Sequence, residues 1–329
     1  MRSHGTALAL ALVALLMLAL AGGAQASSQA ASPARLLAKF QPVTVFHPGE
    51  EFHPIPVDGF VGDSNLEAAI SQTEWIVVDP DPSADSLPTA SPPVWRLNQR
   101  ECFAGGPLGD LACYVAGADE PGRVVYGRIA RPGKRIVLQY WFFYYDNLFR
   151  YPFLPTGTIW QSHEGDWEVV NVVLKKKSRK PLRVGYSQHC SGEVRPWRET
   201  PRVNSHPKVY VAHGSHANYF EPGLHEFDRA CLPPEVIGFF QQAGLPLPAD
   251  VAAEGPDAGP GSLGLDEAVA VRRVTPDDPA WIRFPGFWGE YEYFHAPDPI
   301  GTQLFGTSPV GPAFHEVWQH PLATLASWR

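Results

Sequence analysis

Prolines number 34 and glycines 30 in a chain of 329 residues, so close to one residue in five breaks or bends regular backbone. Proline removes a helical N–H and clashes with the preceding turn, and glycine weakens any helix interior. Uninterrupted helical stretches are therefore short, a helical bundle is excluded, and short strands joined by turns fit the punctuation. Val124-Val125-Tyr126, Ile136 to Tyr145, Trp167 to Leu174 and Val209-Tyr210-Val211 are β-branched or aromatic runs bounded by Gly, Pro and charge clusters. Regular helices do not alternate with them, so the fold class is mainly β, an antiparallel β-sandwich with short helices and long loops. With 44% hydrophobic residues and 39 aromatics the chain has ample core, and folding needs no cofactor.

At the N-terminus, Met1-Arg2 precedes an apolar stretch from about Ala7 to Ala21 and then Ala24-Gln25-Ala26, a small-x-small cleavage pattern. Residues 1–26 read as a signal peptide, so the mature chain is secreted or otherwise extracytoplasmic; no later segment is long and apolar enough to be a transmembrane segment. Residues 27–39, Ser/Ala-rich, are expected as a flexible leader, and residues 40–329 as a single β-sandwich domain with a loop insertion near 245–265. A short helix is expected from Ser64, which stands at capping-box spacing from Glu67, and another over Pro234 to Ala243, ended by Gly244. Four cysteines in an exported chain form disulfides by default, Cys102 with Cys113 and Cys190 with Cys231.

A formal charge of −8 repels phosphate, so no nucleic-acid partner is expected. The run Lys175-Lys176-Lys177-Ser178-Arg179-Lys180 lies between two strand candidates and reads as a solvated hairpin tip.

Six of the twelve histidines fall between residues 163 and 225. Among them, His163-Glu164-Gly165-Asp166-Trp167-Glu168 places Asp166 and Glu168 two residues apart, on one face of a strand, with Trp167 on the other. Two such carboxylates repel unless a cation or a shared proton neutralises them, and a divalent ion is the economical answer. Pairing of Glu168 with Arg or Lys across the sheet, with His163 capping a turn, satisfies the same spacing. Further on, His213-Gly214-Ser215-His216 follows a strand, and His189 follows Ser187-Gln188. His213, His216 and His189 are the candidates for a catalytic base or for pocket walls. Ser215 lacks a Gly-x-Ser-x-Gly elbow, which argues against a serine nucleophile. Phe149, Tyr151, Phe153 and Trp160, in an expected loop from Leu148 to Gln161, could form an exposed aromatic patch.

The pieces Val45-Phe46-His47-Pro48, Gln139 to Asn147, His163 to Glu168, Ser187-Gln188-His189 and His206 to Ala217 occur in the order seen in the vacuolar protein sorting-associated protein 62 family, which the sequence resembles over most of the mature chain. More distantly it is similar to the necrosis- and ethylene-inducing-peptide-like proteins, secreted β-sandwich cytolysins with an aromatic strand ending in Asp and a His-x-x-Asp-Trp-Glu motif around a divalent cation. That resemblance implies a metal site of Asp146, His163, Asp166 and Glu168. Oxygen ligands favour calcium or magnesium, and imidazole draws the choice toward manganese or zinc. Glu164-Gly165 replaces the cytolysins' two basic residues. The implied partner is a lipid or glycan head group bridged by the cation. A metal-dependent hydrolase using a His base, and a structural surface protein without a ligand, are the alternatives.

Overall fold

Nineteen-residue strands account for the centre of the fold. A computed structural model describes residues 32–100, 102, 111–118, 122–153, 157–232, 234–242, 244, 246–252, 270–296 and 301–329. The expected signal peptide, most of the expected leader and residues 253–265 of the expected insertion lie outside them. Residues 37–329 make up one compact unit; of the preceding unit, residues 32–36 are described and begin a helix, Pro33–Phe40.

In chain order the strands are β1 (Val43–Phe46), β2 (Ser64–Ala69), β3 (Trp75–Asp79), β4 (Trp95–Gln99), β5 (Val124–Ala130), β6 (Arg135–Phe153), β7 (Gly157–Lys175), β8 (Pro181–Gln188) and β9 (Ser191–Pro196). They continue as β10 (Arg202–Val203), β11 (His206–Val211), β12 (Asn218–Tyr219), β13 (Gly223–Glu226), β14 (Ala249–Ala252), β15 (Ala270–Arg273), β16 (Tyr291–Ala296) and β17 (Gly301–Thr307). The main sheet runs β15-β5-β6-β7-β16-β17, with β8 also on β7 and β9 on β8. Strands β6 and β7 form one hairpin in register from Arg135↔Lys175 to Phe153↔Gly157.

Both faces of this hairpin are covered, which is why nearly every residue from Tyr140 to Tyr145 is a buried aromatic. Trp141, Phe143, Tyr145 and Trp167 enter the largest core cluster with Leu66 and Leu97 of β2 and β4 and with Trp281, Phe284 and Trp288. Across the opposite face lies the sheet built from β1, β10, β11 and β12. There the ring of Tyr144 stacks on His216 and Tyr186 on Phe220. The expected β-sandwich is therefore present. Most pairs are antiparallel, but β1 lies parallel to β11 and β15 parallel to β5, so the sheets are mixed.

Four local expectations change. Ser64 starts a strand, because its hydroxyl donates back to the Phe60 carbonyl at 2.7 Å, closing the helix Val57–Gly62, while β3 and β4 flank β2 on both sides. Glu67 pairs with Arg96 at 2.6 Å instead of capping a helix. The expected loop from Leu148 to Gln161 is the far end of the hairpin: Phe149 is buried against Phe227, Trp160 is half-buried, and the side chains of Tyr151 and Phe153 lie outside the described set. Part of the leader is helical, and part of the insertion forms β14, paired with β13. The helix Pro234–Gln242 ends before Gly244 as expected, and Lys176 to Ser178 form the exposed turn between β7 and β8. Both disulfides are formed as paired above. Among the described residues no helix is long and apolar enough to cross a membrane.

Strand β7 meets β16 only at Trp160 to Ser162 and β8 only at Val170 to Leu174. Between them, along residues 163–169, that edge carries no strand among the described residues. The gap positions the site.

Candidate functional site

His163 and Asp166 stand three residues apart, a spacing that in a regular strand sends side chains to opposite faces. Gly165 lies between them at φ +58°, and a Cβ there would sit 2.1 Å from the Trp288 carbonyl oxygen. This left-handed residue, accessible to glycine without penalty, reverses the alternation. Gln161 and His163 before it, and Asp166 and Glu168 after it, then line one cleft of about 450 Å³ in the sheet gap. Asn147, His189, Ser215, Glu292, Thr307 and His315 add to its polar wall, and among the described residues no Lys or Arg lines it. Glu164 goes to the other side, where its carboxylate accepts from the Gln99 and Glu290 backbone N–H groups and from the Tyr114 hydroxyl.

The open edge of β7 is satisfied by the site residues themselves, as buried backbone polar groups require. Asp166 Oδ1 accepts from Trp167 N at 2.8 Å. The Ser187 hydroxyl accepts from Val169 N at 2.8 Å and bonds Glu168, whose carboxylate also accepts from Asn218 at 3.2 Å. His163 Nδ1 lies 3.0 Å from the Gly165 carbonyl, which can only accept, so the proton sits on Nδ1. Nε2 is on the opposite edge of the ring from that bond.

Behind Asp166 is a buried charge relay. Asp166 Oδ2 lies 2.9 Å from His216 Nδ1, and His216 Nε2 lies 3.5 Å from Glu50 Oε1. Glu50 in turn accepts from Phe52 N and Gly214 N. Burial opposes both charges, yet Glu50 and Asp166 together lift His216 to about 10, and His216 with the two N–H groups brings Glu50 down to about 2. His216 is thus an imidazolium, fully buried, and cannot reach the cleft as a base.

The remaining carboxyls are pushed the other way. Burial, then repulsion from Asp166, raises Glu168 well above the ordinary range; burial and Glu164 do the same to Asp146, and burial lifts Glu164 to about 7. Asp146 is buried and does not line the cleft, and its Oδ1 has no hydrogen-bond partner among the described residues. Asn147 Oδ1, from a residue that does line it, is likewise unpaired.

Asp250 on β14 organises the adjoining wall. Its buried carboxylate accepts from His189 Nε2 at 2.8 Å and from the hydroxyls of Ser215 and Tyr219. Burial opposes the charge on His189, but Asp250 outweighs it and raises the imidazole above its usual value. The Ser215 hydroxyl donates to the Asp250 carboxylate, so it does not form the serine–imidazole pair of a hydrolase triad with that bond. His213 lies elsewhere, its ring stacked 4.5 Å from His47 and its Nε2 3.8 Å from Glu51.

Of the residues singled out in the sequence, the cleft gathers His163, Asp166, Glu168 and His189; Asp146 and His216 lie beneath it and His213 outside it. Glu50, Asn147 and Asp250 escaped sequence reasoning. Asp250 sat in a Pro/Gly/Ala-rich stretch, where the one available signal was a lone acid among the apolar Ala249, Val251 and Ala252. Among the described residues no three His, Cys, Asp or Glu side chains stand together as a ready ligand set.

No protein-family model matches the chain. The Saccharomyces cerevisiae protein TDA6, whose name links it provisionally to vacuolar protein sorting, is 26% identical over 239 residues, which cover 64% of this chain and 48% of that protein. The match thus spans about half the length of that relative. Among solved structures, necrosis- and ethylene-inducing protein 2 from the causal agent of cocoa's witches' broom disease aligns at 19% identity and a TM-score of 0.30, covering 56% of this chain and 66% of that one. The non-toxic HaNLP3 protein aligns at 15% identity and a TM-score of 0.32, over 70% and 74% of the two chains. NLPPya in complex with glucosamine aligns at 14% identity and a TM-score of 0.31, over 59% and 69%.

Proposed function

We propose that the chain is an exported binding protein whose cleft recognises a glycan head group with the help of a divalent cation. The observation that supports this reading most is the composition of the cleft wall: Asp166, Glu168 and Glu292 line it, with no Lys or Arg among the described residues that do. Carboxylates accept hydrogen bonds and do not donate them, so a fitting ligand brings hydroxyl donors or positive charge. Sugar hydroxyls, the ammonium group of an amino sugar and a metal ion all do so. An anionic lipid head group meets repulsion from these carboxylates and would need the ion as a bridge to them.

The residues that would hold the ion are His163, through Nε2, with Asp166 and Glu168. Their chemistry fits: burial and mutual repulsion disfavour the charge on Glu168, and a bound cation removes that penalty. The ion would neutralise the carboxylates and offer open positions to hydroxyl oxygens. Mostly oxygen donors favour calcium or magnesium, with manganese or zinc next because of His163. Export is supported by the N-terminal sequence and by two disulfides, which persist in oxidising compartments.

Calorimetric titration of the mature chain with glucose and with glucosamine, each in calcium, magnesium or chelator, tests this. Glucose should bind only in the presence of an ion, and Asp166→Asn and Glu168→Gln should abolish its binding while the proteins stay folded. The same variants should no longer sediment with phosphatidylcholine vesicles carrying glucosylceramide. Absence of sugar binding under every ionic condition would overturn the reading.

A metal-dependent hydrolase is the second reading, and one observation favours it. His189 reaches the cleft and Asp250 orients it, the arrangement of a carboxylate-supported general base. Turnover of an ester, phosphodiester or glycoside substrate that disappears in His189→Ala at unchanged metal content would establish it.

A further inference from the structure

We infer that the cleft is one chamber of a longer groove and that its ligand is an oligosaccharide of at least two units, an inference that rests on the glycan reading above. A second chamber of about 390 Å³ adjoins the first, and His189 lines both. Ligand sites start at roughly 300 Å³, so each chamber has room for one unit and the pair for two joined units.

The chambers are joined by a fixed wall. His189 is held through Nε2 by the buried Asp250. The next residue, Cys190, is tied by its disulfide to Cys231, and both cysteines line the first chamber. Ser191 and Asp228, on either side of that bridge, line the second. A wall held by a disulfide and a buried ion pair keeps the chambers at constant separation, which favours a ligand whose units are covalently joined.

The second chamber also offers hydrogen-bond acceptors, although Arg329 is among its lining residues. Gln188, Glu193 and Glu226 supply acceptors, and Arg329 at its side is taken up by Asp228. The ring of His225 stacks almost parallel on that of Tyr219 at 3.9 Å and gives the wall a flat, partly apolar element. Such a surface suits the C–H face of a sugar ring, while the acceptors suit its hydroxyls.

Titration with glucosamine and with its β-1,4-linked dimer and tetramer tests the inference, since the ammonium groups meet the acid-rich lining. Occupying both chambers should make the dimer bind at least about tenfold tighter than the monomer, by effective concentration. His225→Ala and Glu226→Gln, both confined to the second chamber, should remove that advantage, so that the dimer binds no tighter than the monomer. Glu226 is exposed, so that variant keeps the test decisive if His225→Ala is unstable. Equal affinity for monomer and dimer, or an advantage that survives both substitutions, overturns the extension and leaves the single-cleft reading standing. Failure of all three sugars to bind overturns both.

Discussion

Gly165 determines which residues can share the cleft. An L-residue at its φ, with a Cβ against the Trp288 carbonyl, meets both backbone strain and steric overlap. Gly165→Ala should therefore cost about 2–4 kcal/mol in denaturant unfolding. A loss under about 0.5 kcal/mol would show that the strand does not depend on the reversal. The relay beneath it sets a pH dependence. His216 is raised from 6.5 to about 10, so its contribution is complete below about pH 6.5 and is lost as pH rises through 10. Glu50 is lowered from 4.5 to about 2, so its contribution is complete above pH 4.5 and lost as pH falls through 2. Glu164, raised by burial to about 7, adds a loss between pH 4.5 and 7. The thermal midpoint should fall from pH 6.5 toward 10, and Glu50→Gln should lower it throughout while making that fall shallower. An unchanged slope in Glu50→Gln would show that the pair does not set the alkaline limb. At this scale Asp166, Trp167 and Glu168 were legible because strand alternation is local. Glu50 and Asp250 were not, because their partners His216 and His189 are remote in sequence and meet them only through the sheet-to-sheet packing.

Strand boundaries were harder to read than strand existence. Pro152, Pro155 and Gly157 punctuate the hairpin as a loop would, yet pairing runs to Phe153↔Gly157 because a nineteen-residue ladder outweighs local turn preference. Ser64 misled in the opposite direction: its spacing to Glu67 satisfies a capping box, and flanking strands with a buried Arg96 won the competition. The disulfide framework, by contrast, was legible from an even cysteine count read with the expected export. Its two bridges span 11 and 41 residues, so chain entropy assigns them about 3 and 4 kcal/mol respectively. Replacing Cys190 and Cys231 by Ser should accordingly destabilise more than replacing Cys102 and Cys113, as read from urea midpoints. It should also weaken sugar binding, since Cys190 and Cys231 line the first chamber. Equal binding by both Ser pairs would separate the bridge from the site.

For the molecule as a whole, the division of the main sheet around residues 163–169 turns a covered strand into a cleft, and the acids placed there add to an overall charge of −8. Sequence showed the β class, the negative charge and the His-rich segment; it could not show that β8 and β16 leave β7 open, because that depends on where separate strands end. Both net charge and a cation site make stability depend on ions, and the two are distinguishable. Screening by sodium chloride eases repulsion gradually and without saturation, in any variant of similar charge. Specific binding instead stabilises by RT ln(1 + [L]/Kd), about 2.7 kcal/mol at a hundredfold excess over Kd, which raises the melting midpoint by roughly 4 °C. Calcium titrated at constant ionic strength should give a saturating rise in the wild type, reversed by chelator and absent in Asp166→Asn and Glu168→Gln. A control variant with the tip lysines Lys175, Lys176 and Lys177 changed to Ser becomes more acidic yet keeps the cleft, so it should retain the full saturating rise. If the rise instead grows with net negative charge and persists in Asp166→Asn, the ions act by screening alone and the carboxylates of the cleft hold protons in place of a metal.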